Sequence, residues 1–194
     1  ISHEQIVYAR ERAKAQGLDK QVEYVEDDYR NIKGKYDAFV SIGMLEHVGV
    51  ENYPELGQVI NGCLDNSGRG LIHTIGRNRA LPLNGWITKR IFPGAYPPPL
   101  KEMMHIFEAV DYSVLDVENL RLHYAKTLHD WRALYERSTD RIAKMFDEQF
   151  VRMWRLYLAG SEAAFITGDL QLFQVLFAPR GNNDIAMTRE HLYR

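Results

Sequence analysis

Two apolar, β-prone segments with a helical segment between them restrict the folds open to this chain. The strand-like segments cover residues 36–42 and 70–75, while residues 53–64 have helical spacing. Strands that alternate with helices predict a mostly parallel sheet with helices on both faces. In such sheets ligands bind beyond the carboxyl ends of the strands. Residues near these two strand ends are therefore the first candidates for a functional site.

The rest of the chain predicts further helices and strands, with turns between them. Ser2 and Gln5 form a capping-box pattern at the first helix, and Gly17 is placed to end it. A turn is expected over 66–68, before the second strand. Helices are expected over 3–16, 100–109 and most of 127–168, and strands over 21–25, 113–117 and 172–177.

The domain organisation follows from these elements. Residues 1–180 are expected to form one partial domain, with a lid or insertion at about 78–110, and residues 181–194 a loosely held polar tail. The stretch 78–99 holds five of the seven prolines together with Trp86, Phe92 and Tyr96. A long irregular segment of this composition inside a compact domain is typical of a lid or binding loop. The opening on Ile1, without a methionine, reads as the start of a fragment.

Charge and cysteine content exclude several classes of function. The formal net charge of -2 leaves no basic footprint for nucleic acid. A single cysteine, Cys63, can form neither an internal disulfide nor a multi-thiolate zinc site, which favours a reducing, cytoplasmic location. No apolar run approaches the roughly 20 residues that cross a bilayer. Any contact with a membrane is therefore expected to be peripheral.

Four side chains could carry chemistry, and they also have structural interpretations. Glu46 and His47 follow the first strand, where a carboxylate and an imidazole could perform acid–base work, or Glu46 could cap its own turn. His73 lies near the end of the second strand as a catalyst or as a hydrogen-bonded core residue. Tyr124 would by itself be a buried anchor. A metal site built from the histidines is disfavoured, because none has the spacing of zinc or iron ligands.

Several segments, in order along the chain, resemble the cyclopropane-fatty-acid synthase family, which includes the mycolic acid cyclopropane synthases. The ordered set is specific, whereas any one segment alone is weak. The segments are Ile1-Ser2-His3-Glu4-Gln5, Asp28-Tyr29-Arg30, residues 40–49 (VSIGMLEHVG), residues 71–76 (LIHTIG), Ile91-Phe92-Pro93-Gly94, residues 123–128 (HYAKTL) with Trp131, Arg152-Met153-Trp154 with Tyr157-Leu158, and Gln174-Val175.

This resemblance implies a Rossmann-like class I methyltransferase fold that lacks its first strands. It also implies transfer of a methylene group from S-adenosylmethionine to the cis double bond of an unsaturated phospholipid acyl chain. In the family a bicarbonate ion acts as general base, and its holders would be Glu46, His73, the backbone of Ile75 and Tyr124. The cofactor contacts would be Gln5 at the ribose, Tyr29 near the adenine, and Ser41, Ile42, Gly43 and His47 beside the methionine part.

The resemblance leaves other interpretations open. A methyl-branching lipid enzyme, a small-molecule methyltransferase and a truncated, non-catalytic lipid-binding relative are the alternatives, and a homodimer is compatible with the family. The family's glycine-rich loop, second-strand acid and bicarbonate-binding cysteine would lie upstream of Ile1, and Cys63 does not match that cysteine. The acyl channel is expected between the loop from Trp86 to Tyr96 and a helix bearing Met153, Trp154 and Tyr157. Lys89 and Arg90 could meet anionic headgroups or be an ordinary solvated pair.

Overall fold

The computed structural model describes residues 3–190, which fall into two compact units. The first unit comprises residues 3–34 and the second residues 35–190. Each unit is defined by contacts among its own residues. The predicted N-cap residue Ser2 lies outside the described residues.

The first unit contains one helix, α1 (His3–Ala15), followed by turns. Gly17 has a φ of +70°, and just after it the backbone N–H of Leu18 bonds back to the carbonyl of Ala13 at 2.8 Å, so the helix ends where the sequence predicts. The predicted strand over 21–25 is wrong. The N–H groups of Gln21 and Val22 both bond to the carbonyl of Leu18, and within residues 3–190 no strand forms a ladder with this segment.

The second unit is built on a mixed, four-stranded sheet in the order β1-β2-β4-β3. β1 pairs with β2 in parallel, as strand–helix alternation predicts, whereas β4 runs antiparallel to both β2 and β3. The strand bounds are β1 (Tyr36–Ile42), β2 (Leu64–Gly76), β3 (Tyr112–Asn119) and β4 (Gln171–Pro179).

The turn predicted over 66–68 is instead an irregularity inside β2. Tyr36 pairs with Leu64 and Ala38 with Arg69, so two residue steps on β1 face five on β2. The carboxylate of Asp65 accepts hydrogen bonds from the N–H and hydroxyl of Ser67, which stabilises the extra residues. β2 therefore begins at Leu64, before the apolar segment 70–75 that the sequence predicts as the strand.

Seven helices are described in the two units, six of them in the second. α2 and α4 pack against each other and bury Leu56, Ile60, Met103 and Ile106. Among residues 3–190 no helix combines the length and apolar character needed to cross a membrane. The bounds in the second unit are α2 (Tyr53–Cys63), α3 (Gly85–Arg90), α4 (Leu100–Glu108), α5 (Arg121–Glu136), α6 (Thr139–Met145) and α7 (Glu148–Thr167).

The segment predicted as mostly helical over 127–168 is three helices, and the first begins six residues earlier. α5 and α7 pack together around a buried cluster that includes Leu128, Leu158 and Phe165. The hydroxyl of Tyr135 on α5 donates to the carbonyl of Val151 on α7 at 3.0 Å. The first residues of β4 contribute to the same packing, because Leu172 joins this cluster.

Residues 181–190 of the predicted polar tail are attached to the sheet. The side-chain amide of Asn182 is buried and donates to the carbonyls of Ser67 and Gly68 at 2.9 and 3.0 Å. Arg189 pairs with Asp116 on β3. These contacts hold the chain after β4 against the irregular part of β2 and against β3.

Candidate active site

The ends of β1 and β2 bring the first site residues together. Ile42 pairs with His73, and the N–H of Gly43 donates to the carbonyl of His73 at 2.9 Å. Gly43 has a φ of +65°, which favours glycine and turns the chain out of the strand. A short 3₁₀ turn at Leu45–His47 then returns Glu46 to β2.

The carboxylate of Glu46 is held by the neighbouring strand. Its Oε1 accepts the N–H of Ile75 at 2.7 Å, so it does not serve only to cap its own turn. The residue is 8% exposed, and Oε2 has no hydrogen-bond partner among residues 3–190. A buried acceptor left unpaired costs about 1–3 kcal/mol. Glu46 thus presents one oriented oxygen that requires a donor.

His73 lies two residues before Ile75 on the same face of β2. The side-chain amide of Gln174 on β4 lies 3.1 Å from Nδ1, and in the orientation assigned it donates to that atom. Burial lowers the pKa of His73, and the charge of Glu46 offsets part of that effect. The imidazole is therefore neutral at pH 7, with its proton on Nε2.

Tyr124 lies on the first turn of α5. Its ring contacts Phe165 and Trp131 at centroid distances of 4.9 and 6.2 Å. Burial raises the pKa of the Tyr124 hydroxyl, and the charge of Glu46 raises it further. The phenol therefore stays protonated at neutral pH.

A cavity of about 570 Å³ opens beside these groups, within the usual range for small-ligand sites. Glu46, Ile75 and Tyr124 lie on its wall, whereas the wall formed by residues 3–190 does not include His73. Most of the remaining lining is apolar. It includes Leu83, Trp86, Ile87, Phe92, Leu128, Leu156, Tyr157, Ala164, Phe165 and Leu170.

Only some of the residues expected to line an acyl channel lie on the cavity wall. Trp86, Phe92 and Tyr157 line the cavity, and the rings of Phe92 and Tyr157 meet edge to face at 5.9 Å. Tyr96 instead donates its hydroxyl to Glu102 at 2.9 Å. Trp154 packs against the buried cluster between α5 and α7.

The predicted cofactor contacts fall in both units. Gly43 and His47 line the cavity, next to Glu46. Ser41 is buried, whereas Ile42 is 71% exposed at the end of β1. Gln5 is exposed on α1, and Tyr29 lies in a 3₁₀ turn beside the guanidinium of Arg30, both in the first unit.

Two charged residues of the cavity wall have no role in the sequence analysis. Arg77 directly follows β2, and Asp169 precedes β4. Their side chains form an ion pair at 3.3 Å. Arg77 lies at a strand end, as Glu46 does, so the same rule could have made it a candidate. Its ion-pair partner Asp169 is 92 residues away in sequence, and no local sequence pattern predicts that pairing.

The possible metal ligands and the single cysteine of residues 3–190 are arranged as follows. Within residues 3–190 no three His, Cys, Asp or Glu side chains are grouped so that they could hold a metal ion. Cys63 is the last residue of α2 and is buried, with its thiol 3.5 Å from the carbonyl of Ile60. Burial raises the pKa of this thiol, which keeps it protonated.

Comparison with known families and proteins gives consistent matches. The family model described as mycolic acid cyclopropane synthetase matches residues 1–175. The chain is 37% identical to a probable fatty acid methyltransferase of Pseudomonas putida, over all of this chain and 52% of that protein. It is 35% identical to the cyclopropane-fatty-acyl-phospholipid synthase of Escherichia coli K12, over 97% of this chain and 48% of that protein. The chain thus spans about half the length of these relatives.

Solved structures show the same architecture. The mycolic acid cyclopropane synthase CmaA1, complexed with SAH and CTAB, matches with a TM-score of 0.72 and 25% identity, over 87% of this chain and 66% of that one. The cyclopropane synthase MmaA2 of Mycobacterium tuberculosis matches with a TM-score of 0.73 and 22% identity, over 86% and 65%.

Proposed function

This chain belongs to the mycolic acid cyclopropane synthetase family and has the class I methyltransferase fold, and we propose that it modifies the acyl chains of lipids. Its substrate is the cis double bond of an unsaturated phospholipid acyl chain, and its methyl donor is S-adenosylmethionine. The product we assign is a cyclopropane ring. The observation that carries the proposal is the buried Glu46 carboxylate, with one oxygen unpaired, on the wall of a largely apolar cavity.

The cavity suits an alkyl chain better than a small polar substrate. Its side chains are mostly aliphatic and aromatic, and they come from the segment between β2 and α4 and from α5 and α7. Burying apolar surface supplies about 25 cal/mol per Å². A chain held there would be positioned and kept from water, both of which a weak nucleophile such as an alkene requires.

The methyl donor fits the edge of the cavity formed by Gly43 and His47. A side chain at Gly43 would occupy open space, so glycine leaves that room for a ligand as well as allowing the turn. When bound, S-adenosylmethionine supplies an electrophilic methyl group. Ser41 and Ile42 are proposed contacts for its other parts, and the contacts expected for Gln5 and Tyr29 stay predictions.

Glu46 and the polar groups near it suit a bicarbonate ion. Protonated carbonate has one O–H to donate and oxygens that accept, whereas Glu46 Oε2 needs a donor and the Tyr124 hydroxyl and His73 Nε2–H can both donate. When bound, bicarbonate supplies a general base. The N–H of Ile75 is already bonded to Glu46, so the backbone there contributes by orienting the carboxylate.

The protein's own groups also suit the charge that develops when an alkene attacks a methyl donor. Addition of a methyl group leaves a carbocation on the chain. The Glu46 carboxylate is buried, so its attraction to that positive charge is weakly screened. The faces of aromatic rings such as those of Phe92 and Tyr157 add cation–π stabilisation.

A methyl-branched product is the second candidate, and the names of relatives favour it. The Pseudomonas putida relative is a probable fatty acid methyltransferase. A tuberculostearic acid methyltransferase of Mycobacterium tuberculosis is also 37% identical, over 90% of this chain and 42% of that protein. The same carbocation gives a methyl-branched alkene when it loses a proton from a neighbouring chain carbon instead of from the new methyl group.

Lipid analysis tests the proposal. The protein would be expressed in a bacterium that makes unsaturated phospholipids but no cyclopropane chains, and its fatty acids analysed by mass spectrometry and NMR. We expect cyclopropane chains that are absent when Glu46→Gln is expressed at the same level. Recovery of branched chains alone would favour the second candidate, and unchanged lipids with a well-folded protein would contradict both.

A further inference from the structure

Arg77 is fixed at the boundary between the large cavity and a second, smaller one. Its side chain is 9% exposed. Nη1 donates to the carbonyl of Pro82 at 3.2 Å, and Nη2 donates to Asp169 at 3.3 Å. Arg77 and Asp169 line both cavities. The guanidinium therefore belongs to a wall that two compartments share.

The charge of Arg77 is only partly compensated inside the protein. Its Nε is buried and has no hydrogen-bond partner among residues 3–190. Its carboxylate partner is 57% exposed and makes one contact with it, whereas a guanidinium can form two parallel bonds with an anion. A buried charge is stable when it is fully paired and hydrogen-bonded. An anionic ligand would complete this arrangement.

The smaller cavity, of about 290 Å³, has room for such a group. Arg79 and the amide of Asn78 also line it, so its wall carries two cations and the single carboxylate of Asp169. The carboxyl end of α7 reaches the same wall at Thr167 and Gly168. Its negative charge is reduced because Arg121 donates to the carbonyls of Phe165 and Ile166 at 2.6 and 2.8 Å.

The shared wall links a cationic compartment to an apolar one. A molecule with an alkyl chain in the large cavity could place an anionic group against Arg77 without leaving the protein. We propose that Arg77, with Arg79, binds the phosphate of a phospholipid whose acyl chain occupies the large cavity. This inference rests on the proposed function. It concerns the phosphate of the substrate, which does not take part in the reaction near Glu46.

Calorimetric titration with matched amphiphiles tests the inference without turnover. The probes are decyl phosphate and decyl glucoside, both below the concentration at which they form micelles, and inorganic phosphate. The variants are Arg77→Gln and, as a matched control, Arg141→Gln, because Arg141 is an exposed arginine on α6 that lines neither cavity. Loss of a charged hydrogen-bonded contact predicts that Arg77→Gln weakens decyl phosphate binding by about ten- to hundredfold.

Each outcome separates the phosphate site from the acyl cavity. We expect decyl phosphate to bind more tightly than decyl glucoside, and the difference to vanish in Arg77→Gln but not in Arg141→Gln. Equal binding of the two amphiphiles would overturn the phosphate site and leave the acyl cavity standing. No binding of either would overturn both. Inorganic phosphate that binds as tightly as decyl phosphate would assign the site to free phosphate instead.

A second variant keeps the inference testable if Arg77→Gln does not fold. Asp169→Asn removes the internal competitor of the ligand and leaves the guanidinium in place. We expect it to tighten decyl phosphate binding several-fold while binding of decyl glucoside stays unchanged. Unchanged or weaker binding of decyl phosphate would contradict the role of Arg77.

Discussion

The backbone N–H of Ile75 donates to Glu46 Oε1 at 2.7 Å, and this bond joins the turn after β1 to the end of β2. It uses one carboxylate oxygen for structure and leaves the other, Oε2, unpaired and buried. A group fixed in this way does not need to reorganise when charge develops near it, which is the property expected of an electrostatic catalyst.

The hydroxyl of Tyr124 should matter for turnover more than for folding. In Tyr124→Phe the ring can keep its contacts with Phe165 and Trp131, while the donor near Glu46 is lost. We expect turnover to fall about 10- to 100-fold with little change in the affinity for S-adenosylmethionine. Steady-state kinetics and calorimetry measure the two quantities. Tyr157→Phe is the control from the same cavity wall, and an equal loss there would contradict a specific role for Tyr124.

A substitution on α7 can reduce the volume of the large cavity without replacing any of its charged residues. Gly160 lies on α7 and lines the cavity, and a Cβ at this position would meet open space. We expect Gly160→Leu to fold normally and to lower the affinity for decyl glucoside, because the new side chain competes for the same volume. Gly62→Leu is the matched control, since Gly62 is also helical and open but lines neither cavity described. Equal affinities in the two variants would contradict the assignment of the cavity.

The elements nearest the site could be predicted well because their pattern is local. β1 runs from Tyr36 to Ile42 as predicted, and α2 ends one residue before its predicted end, since both have clear periodicity and turn residues at their ends. The placement of Glu46 and His73 near strand ends follows from the same pattern. Their convergence then needs only the parallel pairing of β1 with β2.

Features that depend on distant parts of the chain could not be predicted. Residues 21–25 have the alternation of a strand, but a strand also requires a partner, which the sequence does not specify. The pairing of Arg77 with Asp169 and of His73 with Gln174 joins residues about a hundred positions apart. Tertiary packing sets these contacts, and no local signal accompanies them.

The lowered pKa of His73 predicts that stability depends on pH. The unfolded chain binds a proton near the ordinary histidine pKa of 6.5, whereas the folded protein binds it only at lower pH. The free energy of unfolding should therefore fall as pH drops below about 6.5. His73→Asn keeps an acceptor for Gln174 but does not titrate, so its stability should fall less over the same range. Urea unfolding at several pH values measures this, and identical slopes in the two proteins would contradict the prediction.

The hydrogen bond between Tyr135 on α5 and Val151 on α7 should contribute to folding stability and not to cofactor binding. Tyr135→Phe removes the donor to the carbonyl of Val151 in a buried position. We expect the free energy of unfolding to fall by about 1 kcal/mol, with S-adenosylmethionine affinity unchanged. Chemical denaturation checks the value. Tyr8→Phe, at an exposed position, should change stability by much less, and equal losses would show that the buried bond contributes nothing specific.

We infer that Glu46 acts on the reaction and not on the binding of the methyl donor. The direct measurement compares lipid turnover and S-adenosylmethionine affinity in the wild-type protein, in Glu46→Gln and in Glu102→Gln, a control carboxylate outside the cavity wall that accepts a bond from Tyr96. We predict that Glu46→Gln lowers turnover by about 100-fold or more while affinity changes by less than about threefold, because the amide keeps the shape but not the charge. Equal losses of turnover and affinity, or turnover that survives in Glu46→Gln, would contradict this role of Glu46.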